Sequence, residues 1–241
     1  MDLFFVKNFQ PRDRTILLSP EEGRHAVKVL RKRIGDLIDL TDGAGHYLQG
    51  TILKDSPQEL MLELTRVEMR SRADENQIEV ALPVIRPNRM DWAVEKLTEL
   101  GVSKIAPITC AYSTARQIKK AHLRKIMISA IKQSRQFYLP EISPVTGFAE
   151  WIKDAVSKEG TKYIAHQEVA NKEIKRPYPA GMIYLAVGPE GGFHPEEINL
   201  AFSSGFEILY LGDTILRTET AAVVGVTKIK TLFSGTLVGE E

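Results

Sequence analysis

Short runs of apolar residues, broken every few positions by glycine or a charged pair, fill the first seventy positions of the chain. Asp36-Leu-Ile-Asp-Leu-Thr41, His46 to Lys54 and Glu59 to Val67 read as strands joined by glycine-bearing turns such as Asp42-Gly-Ala-Gly45, the pattern of a small barrel. One helix interrupts them. Ser19-Pro-Glu-Glu22 is a capping box with proline at the first helical position, and the pattern runs through His25, Val29 and Leu30 to end near Gly35. Arg70-Ser-Arg-Ala-Asp-Glu-Asn76 is polar and aperiodic, and a domain boundary belongs there, dividing the chain into 1–71 and 72–241.

Beyond Gln77 the rhythm changes to strand, helix, strand, helix. Ile78 to Ile85 is an apolar strand, and Pro87-Asn-Arg-Met-Asp-Trp92 leads into a helix carrying Trp92, Ala93, Leu97 and Leu100 and ended by Gly101, with Trp92 read as core rather than as a base-stacking platform. Lys104 to Thr109 is a strand, Lys119 to Ser134 a basic amphipathic helix, 147–158 a helix and Thr161 to His166 a strand. Met182 to Val187 and Phe206 to Leu211 are further strands. Each runs through a loop into a helix, one opening at Pro195-Glu-Glu197 and stopped at Gly205, the other opening at Thr218. Strands alternating with helices predict an α/β domain: a parallel sheet covered on both faces.

The two loops, Val187-Gly-Pro-Glu-Gly-Gly-Phe193 and Leu211-Gly-Asp-Thr-Ile-Leu-Arg-Thr-Glu-Thr-Ala221, hold the candidate chemistry. Glycines at the carboxyl ends of parallel strands describe a ligand crevice, because a backbone without Cβ atoms can approach a bound molecule closely. The dinucleotide spacing G-x-G-x-x-G is absent after the domain's first strand, which argues against a nicotinamide-dependent oxidoreductase.

Composition changes this picture little, and charge changes it more. At 43% hydrophobic and 26% charged the 241 residues suit a well-packed globular protein, and the single cysteine, Cys110, leaves neither a disulfide framework nor a zinc ligand set. Cys110 reads as a buried small residue. No apolar run approaches the roughly 20 residues that cross a bilayer, and the start lacks the marks of a signal peptide, so the expected compartment is the cytoplasm. The net charge is +1, yet no acidic residue lies between Glu99 and Glu141, where eight lysines and arginines do, or between Arg24 and Arg33. Either block alone is explained by a solvated helix face; together they suggest a track for a phosphate backbone, with Arg24, Lys28 and Arg31 as candidate contacts.

Gly188-Pro-Glu-Gly-Gly-Phe193 together with Leu211 to Ala221 resembles the small-subunit ribosomal RNA uridine N3-methyltransferase family, of the knotted SPOUT class of S-adenosylmethionine enzymes. His25-Ala-Val-Lys-Val-Leu-Arg31 followed by Gly35-Asp36, Glu95-Lys-Leu-Thr-Glu-Leu-Gly101, and Gln133-Ser134 with Arg135 and Pro140 match as well, in the family's order and across nearly the whole chain. The chain departs from the family at Lys132, where an acidic residue is common, and at Ala111-Tyr-Ser113, where Glu-Arg-Ser is common.

The resemblance implies a PUA-like RNA-binding β-barrel over 1–71 and a SPOUT α/β methyltransferase domain over 72–241 that ends in a deep trefoil knot. It also implies a homodimer, S-adenosyl-L-methionine as cofactor, no metal, and 16S rRNA or the small ribosomal subunit as substrate, methylated at N3 of one uridine. Val187, Gly188, Gly191, Leu211, Gly212, Ile215 and Leu216 would hold the cofactor, with ordinary core as the alternative for Ile215 and Leu216. Arg217 would stabilise negative charge on a uracil carbonyl, or else form an ion pair with Glu190 or Glu219. Glu219 would accept a proton, or else cap its helix; Thr220 would bond a carbonyl or close the first turn, and His194 would serve as a base or be a surface loop residue. Gln133, Ser134 and Arg135 would line the RNA approach. A noncatalytic RNA-binding ribosome-assembly factor on the same fold is the alternative to an enzyme.

Overall fold

The structure, a computed structural model, describes residues 2–56, 59–72, 77–113, 116–167 and 181–234. The expected boundary at Arg70–Asn76 falls partly on 73–76, outside the described residues. The chain forms two compact units, one of Met1–Ala73 with Ile128–Leu139, the other of Asp74–Met127 with Pro140–Glu241.

In the first unit β1 (Leu3–Phe5), β2 (Thr15–Leu18), β3 (Leu37–Thr41), β4 (His46–Ser56) and β5 (Glu59–Met69) form one sheet in the order β1-β3-β4-β5-β2, antiparallel except for β1 beside β3. Alternation buries Ile38 and Leu40, Leu48 and Ile52, and Leu60 and Leu62 in a single core with Phe4, Ile16 and Leu18. Register shifts at Gln49/Gly50 and Ile52/Lys54 mark irregularities in β4 of the kind that bend a strand.

Ser19 Oγ accepts the Glu22 amide at 3.3 Å and starts α1 (Pro20–Arg24), which continues as a π-helical turn over His25–Val29. The helical path stops at Leu30, short of the Gly35 that the sequence pattern suggests. Leu30 N–H donates to His25 O, Arg31 takes a left-handed φ of 57°, and Asp36 Oδ2 accepts the Arg33 amide at 2.8 Å, so residues 31–36 form a turn instead. Residues 137–139 lie along the Asp42–Gly45 turn through Gly45 N–H to Phe137 O and Leu139 N–H to Gly43 O, both 2.8 Å. Gly45 is required there: its φ is +105°, and a Cβ would sit 2.5 Å from Tyr138 Oη.

The second unit is a parallel sheet of β6 (Gln77–Pro83), β7 (Lys104–Thr109), β8 (Glu141–Ile142), β9 (Thr146–Gly147), β10 (Thr161–Ala165), β11 (Met182–Ala186) and β12 (Glu207–Leu209), ordered β12-β10-β11-β6-β7-β8 with β9 also on β7. Its helices are α2 (Pro87–Glu99), α3 (Lys120–Ser134, whose last residues belong to the first unit), α4 (Phe148–Val156), α5 (Pro195–Ser203) and α6 (Thr218–Ser234). The alternating strand and helix pattern is therefore realised.

Trp92 is a correction: it is 42% exposed rather than core. The inward stripe of α2 is Met90, Ala93, Val94 and Leu97, and helical geometry turns position 92 away from it. The core tryptophan is Trp151 on α4, whose Nε1–H donates to the buried Glu79 carboxylate at 2.7 Å, with Lys104 Nζ 3.2 Å from the other oxygen. Among the described residues no helix is long and apolar enough to cross a membrane, and no His, Cys, Asp and Glu cluster suits a metal ion.

Candidate functional site

Because β12, β10 and β11 are adjacent and parallel, their carboxyl ends open at one edge of the sheet. The loops that follow them line a cleft of about 530 Å³. Val187, Gly188 and Gly191 come from the loop after β11, and Leu211, Gly212, Ile215 and Leu216 from the loop after β12, so all seven residues assigned to a cofactor meet there. Ala165 at the end of β10, with His166 and Gln167 after it, contributes a third wall.

Local chemistry shapes both loops. In the first, Gly192 N–H donates to Pro189 O at 2.9 Å and Gly192 adopts φ +74°. A Cβ on Gly188 would stand 3.2 Å from the Phe193 ring, and one on Gly191 3.0 Å from Tyr112 Cβ, so both positions have little room for a side chain. In the second, Gly212 turns at φ +124°, Tyr210 Oη donates to Asp213, and Lys228 Nζ donates to Tyr210 O at 2.6 Å. Asp213 as acceptor, with lesser contributions from desolvation and its negative charge, raises the Tyr210 pKa. The loops are tied together by Thr218 Oγ1, which donates to Gly188 O at 2.8 Å.

Ile215 is 86% exposed while lining the cleft, which excludes the core reading for it; Leu216 is half-buried. Arg217 is exposed and follows Leu216, and it forms no ion pair with Glu190 or Glu219. Both carboxylates belong instead to Arg89, in the first turn of α2: the guanidinium bonds Glu190 Oε1, and its Nε lies 3.6 Å from Glu219 Oε1. Glu219 sits in the first turn of α6, 8% exposed, and its Oε2 accepts no hydrogen bond among the described residues. Thr220 is half-buried one position further on.

His194 is engaged as a helix cap. Its Nδ1 accepts the Glu196 amide at 3.3 Å, and Glu197 returns a carboxylate to the His194 amide at 2.8 Å. The second Glu197 oxygen accepts the Ala111 amide at 2.9 Å. Cys110 is buried as expected; burial, with the Glu197 charge adding to it, pushes the thiol up to about 12, against a small opposing effect of Ser113.

The basic candidates lie in the first unit. Arg24, Lys28 and Arg31 are exposed around α1 and the turn after it. At the end of α3, Gln133 and Arg135 are exposed while Ser134 Oγ donates to Ala130 O at 2.7 Å. Lys132, a departure from the resembled family, donates to Glu22 at 2.6 Å, so this ion pair joins the helix carrying Arg24 to the helix carrying Gln133.

The sequence does not show that Arg89 and Tyr112 meet the Gly188–Gly192 loop, or that the end of β10 lines the cleft. Loop motifs mark residues near each other in sequence, whereas these come to the two loops only through the fold. Pro87-Asn-Arg89 just beyond a strand was the available signal for the first.

Residues 72–230 match the RNA methyltransferase domain family, and residues 18–64 match the RNA methyltransferase PUA domain family. A ribosomal RNA small subunit methyltransferase E from Neisseria gonorrhoeae, crystallised bound to S-adenosyl methionine, is 30% identical with a TM-score of 0.83, covering 97% of this chain and 98% of its own. Proteins named ribosomal RNA small subunit methyltransferase E from Buchnera aphidicola (subsp. Schizaphis graminum) and Mycobacterium bovis are 25% and 27% identical, the alignments covering 95% and 96% of this chain and 95% and 92% of theirs. With the glycine-lined cleft at the parallel strand ends and both domain matches in the same chain, this protein belongs to the ribosomal RNA small subunit methyltransferase E family of RNA methyltransferases.

Proposed function

We propose that the chain transfers a methyl group from S-adenosyl-L-methionine to N3 of one specific uridine in 16S ribosomal RNA. The observation that carries the reading is the cleft between the loops after β11 and β12, in a chain whose family includes a relative crystallised with that cofactor. The cleft fits the group. Its floor is backbone at Gly188, Gly191 and Gly212, two of which have little space for a Cβ, and its exposed apolar side chain is Ile215. Backbone N–H and C=O groups there would hold the polar ends of a nucleoside and an amino acid, and Val187, Leu211, Ile215 and Leu216 would cover its apolar faces.

When bound, S-adenosylmethionine supplies an electrophilic methyl on a sulfonium, so the protein needs neither metal nor nucleophile of its own. Its task is alignment and charge control, and orientation alone is worth roughly 7–11 kcal/mol in favourable intramolecular reactions. N3 of uridine lies between two carbonyls and attacks well only after losing its proton. Arg217, exposed and outside the Arg89 ion-pair cluster, would stabilise the charge that spreads to a carbonyl oxygen. Glu219 would accept the proton, its Oε2 holding no donor among the described residues.

In the same reading 1–71 is the RNA-holding domain and 72–241 the catalytic one. Arg24, Lys28, Arg31, Gln133, Ser134 and Arg135 contact RNA, the carboxyl-terminal region forms a trefoil knot, and two copies associate as a cytoplasmic homodimer. Mass-spectrometric mapping of ribosomal RNA from cells lacking the protein is the direct test. One missing N3-methyluridine, restored by the wild-type chain and not by Arg217→Ala, is the expected result; an unchanged modification map overturns the assignment.

A further inference from the structure

Arg89 stands on α2, yet its guanidinium reaches the two loops assigned to the cofactor. It bonds Glu190, which lies between Gly188 and Gly191 in the loop after β11, and its Nε is 3.6 Å from Glu219 in the first turn of α6. The two carboxylates differ in environment. Glu190 has a side chain 49% exposed, so its attraction to Arg89 is screened by water; the Glu219 side chain is only 10% exposed. Glu219 Oε2 has no donor among the described residues, and at 3.6 Å Arg89 provides Oε1 with charge compensation rather than a close hydrogen bond. A further polar tie between these loops, Thr218 Oγ1 to Gly188 O, is uncharged.

We infer that Arg89 is a positioning residue, a cationic clamp that holds the Gly188–Gly192 loop and the first turn of α6 in the register that shapes the cleft. The link to ligand affinity rests on the proposed S-adenosylmethionine reading. The clamp itself does not, since it concerns contacts between the protein's own side chains. Removing the guanidinium leaves the Glu219 carboxylate buried without compensation, so the first turn of α6 moves to expose it and the Glu190 loop loses its anchor. Deleting both charges together removes that stress.

The test uses the full-length wild type, Arg89→Gln, Arg89→Lys and the double variant Arg89→Gln/Glu219→Gln. Amide hydrogen exchange without ligand is expected to quicken by roughly tenfold at 188–193 and 218–222 in Arg89→Gln; in the double variant it returns toward wild type at 218–222, where the buried charge is gone, and stays fast at 188–193, which still lacks its anchor. Titration calorimetry with S-adenosylmethionine is expected to follow it: about tenfold weaker for Arg89→Gln and partly rescued by Arg89→Lys, which keeps the charge without the planar fork. A uniform rise in exchange across the fold would signify a merely structural arginine and overturn the clamp, as would unchanged exchange in both segments. Wild type that binds no S-adenosylmethionine, with exchange changed as expected, would retain the clamp and remove the cofactor reading.

Discussion

Thr218 Oγ1 donates a 2.8 Å hydrogen bond to Gly188 O, joining the start of α6 to the glycine loop 30 residues earlier. Thr218 is 2% exposed. Thr218→Val keeps the shape and deletes the donor, leaving a carbonyl short of one bond at a cost of about 1–3 kcal/mol. The expected result is weaker S-adenosylmethionine binding by roughly fivefold to a hundredfold in calorimetry, with a folded far-UV spectrum. Unchanged affinity would show that the two loops do not need this tie.

Arg217 is separated from its neighbouring carboxylates because Arg89 takes both of them. Replacing an exposed side chain outside that cluster costs little stability, within about 0.5 kcal/mol. Arg217→Ala is therefore expected to slow methyl transfer by roughly 10²–10³-fold while cofactor affinity and the unfolding midpoint hold. A single-turnover assay near the wild-type rate removes the assigned role.

The loop motifs were legible because they are local: glycines, a strand before and a helix after suffice to foresee a crevice, and the cleft gathers all seven foreseen lining residues. What could not be read is what depends on strand order. Nothing in sequence spacing says that β10 lies between β11 and β12, so Ala165–Gln167 were missed, and nothing local brings Arg89 to residues 101 and 130 positions away. The early end of the helix after Ser19 had a related cause, a π-helical turn whose bonding pattern apolar periodicity does not encode. Trp92 has a simpler reason: it is apolar yet lies off the buried stripe of α2, and apolar character alone does not separate it from that stripe.

Arg24, Lys28 and Arg31 are exposed, and the Lys132–Glu22 pair fixes their helix to the end of α3. If they meet phosphate, the triple alanine variant loses about three counterion-releasing contacts. The slope of log affinity for RNA against log salt should then fall by roughly two to three units. Filter binding between low and moderate salt measures this, and an unchanged slope excludes the track.

Gly45 combines φ +105° with a Cβ position 2.5 Å from Tyr138 Oη. Gly45→Ala must therefore strain the backbone, at about 1–3 kcal/mol, and also push residues 137–139 off the Asp42–Gly45 turn. Urea unfolding is expected to show a lowered midpoint, with Gly35→Ala milder because its own φ of +89° adds strain but no atom lies within 4 Å. Equal losses at the two positions would mean that Tyr138 yields freely.

Cys110 gives the clearest dependence on pH. Its folded thiol is pushed up to about 12 by burial, from an ordinary 9.0. The raised value means that the folded state keeps its proton where the unfolded chain gives one up. The thiol's contribution is therefore intact below pH 9, declines between 9 and 12, and is gone above that, at about 1.4 kcal/mol per pH unit inside the window. Cys110→Ala has no thiol to ionise, so the stability difference between wild type and variant should shrink or reverse from pH 8 to pH 10.5 in urea titrations. At pH 7.5 the native thiol should resist iodoacetamide until the protein is unfolded. Rapid native alkylation, or a difference flat across that range, would mean that the thiol is solvated and not held in the core behind Glu197.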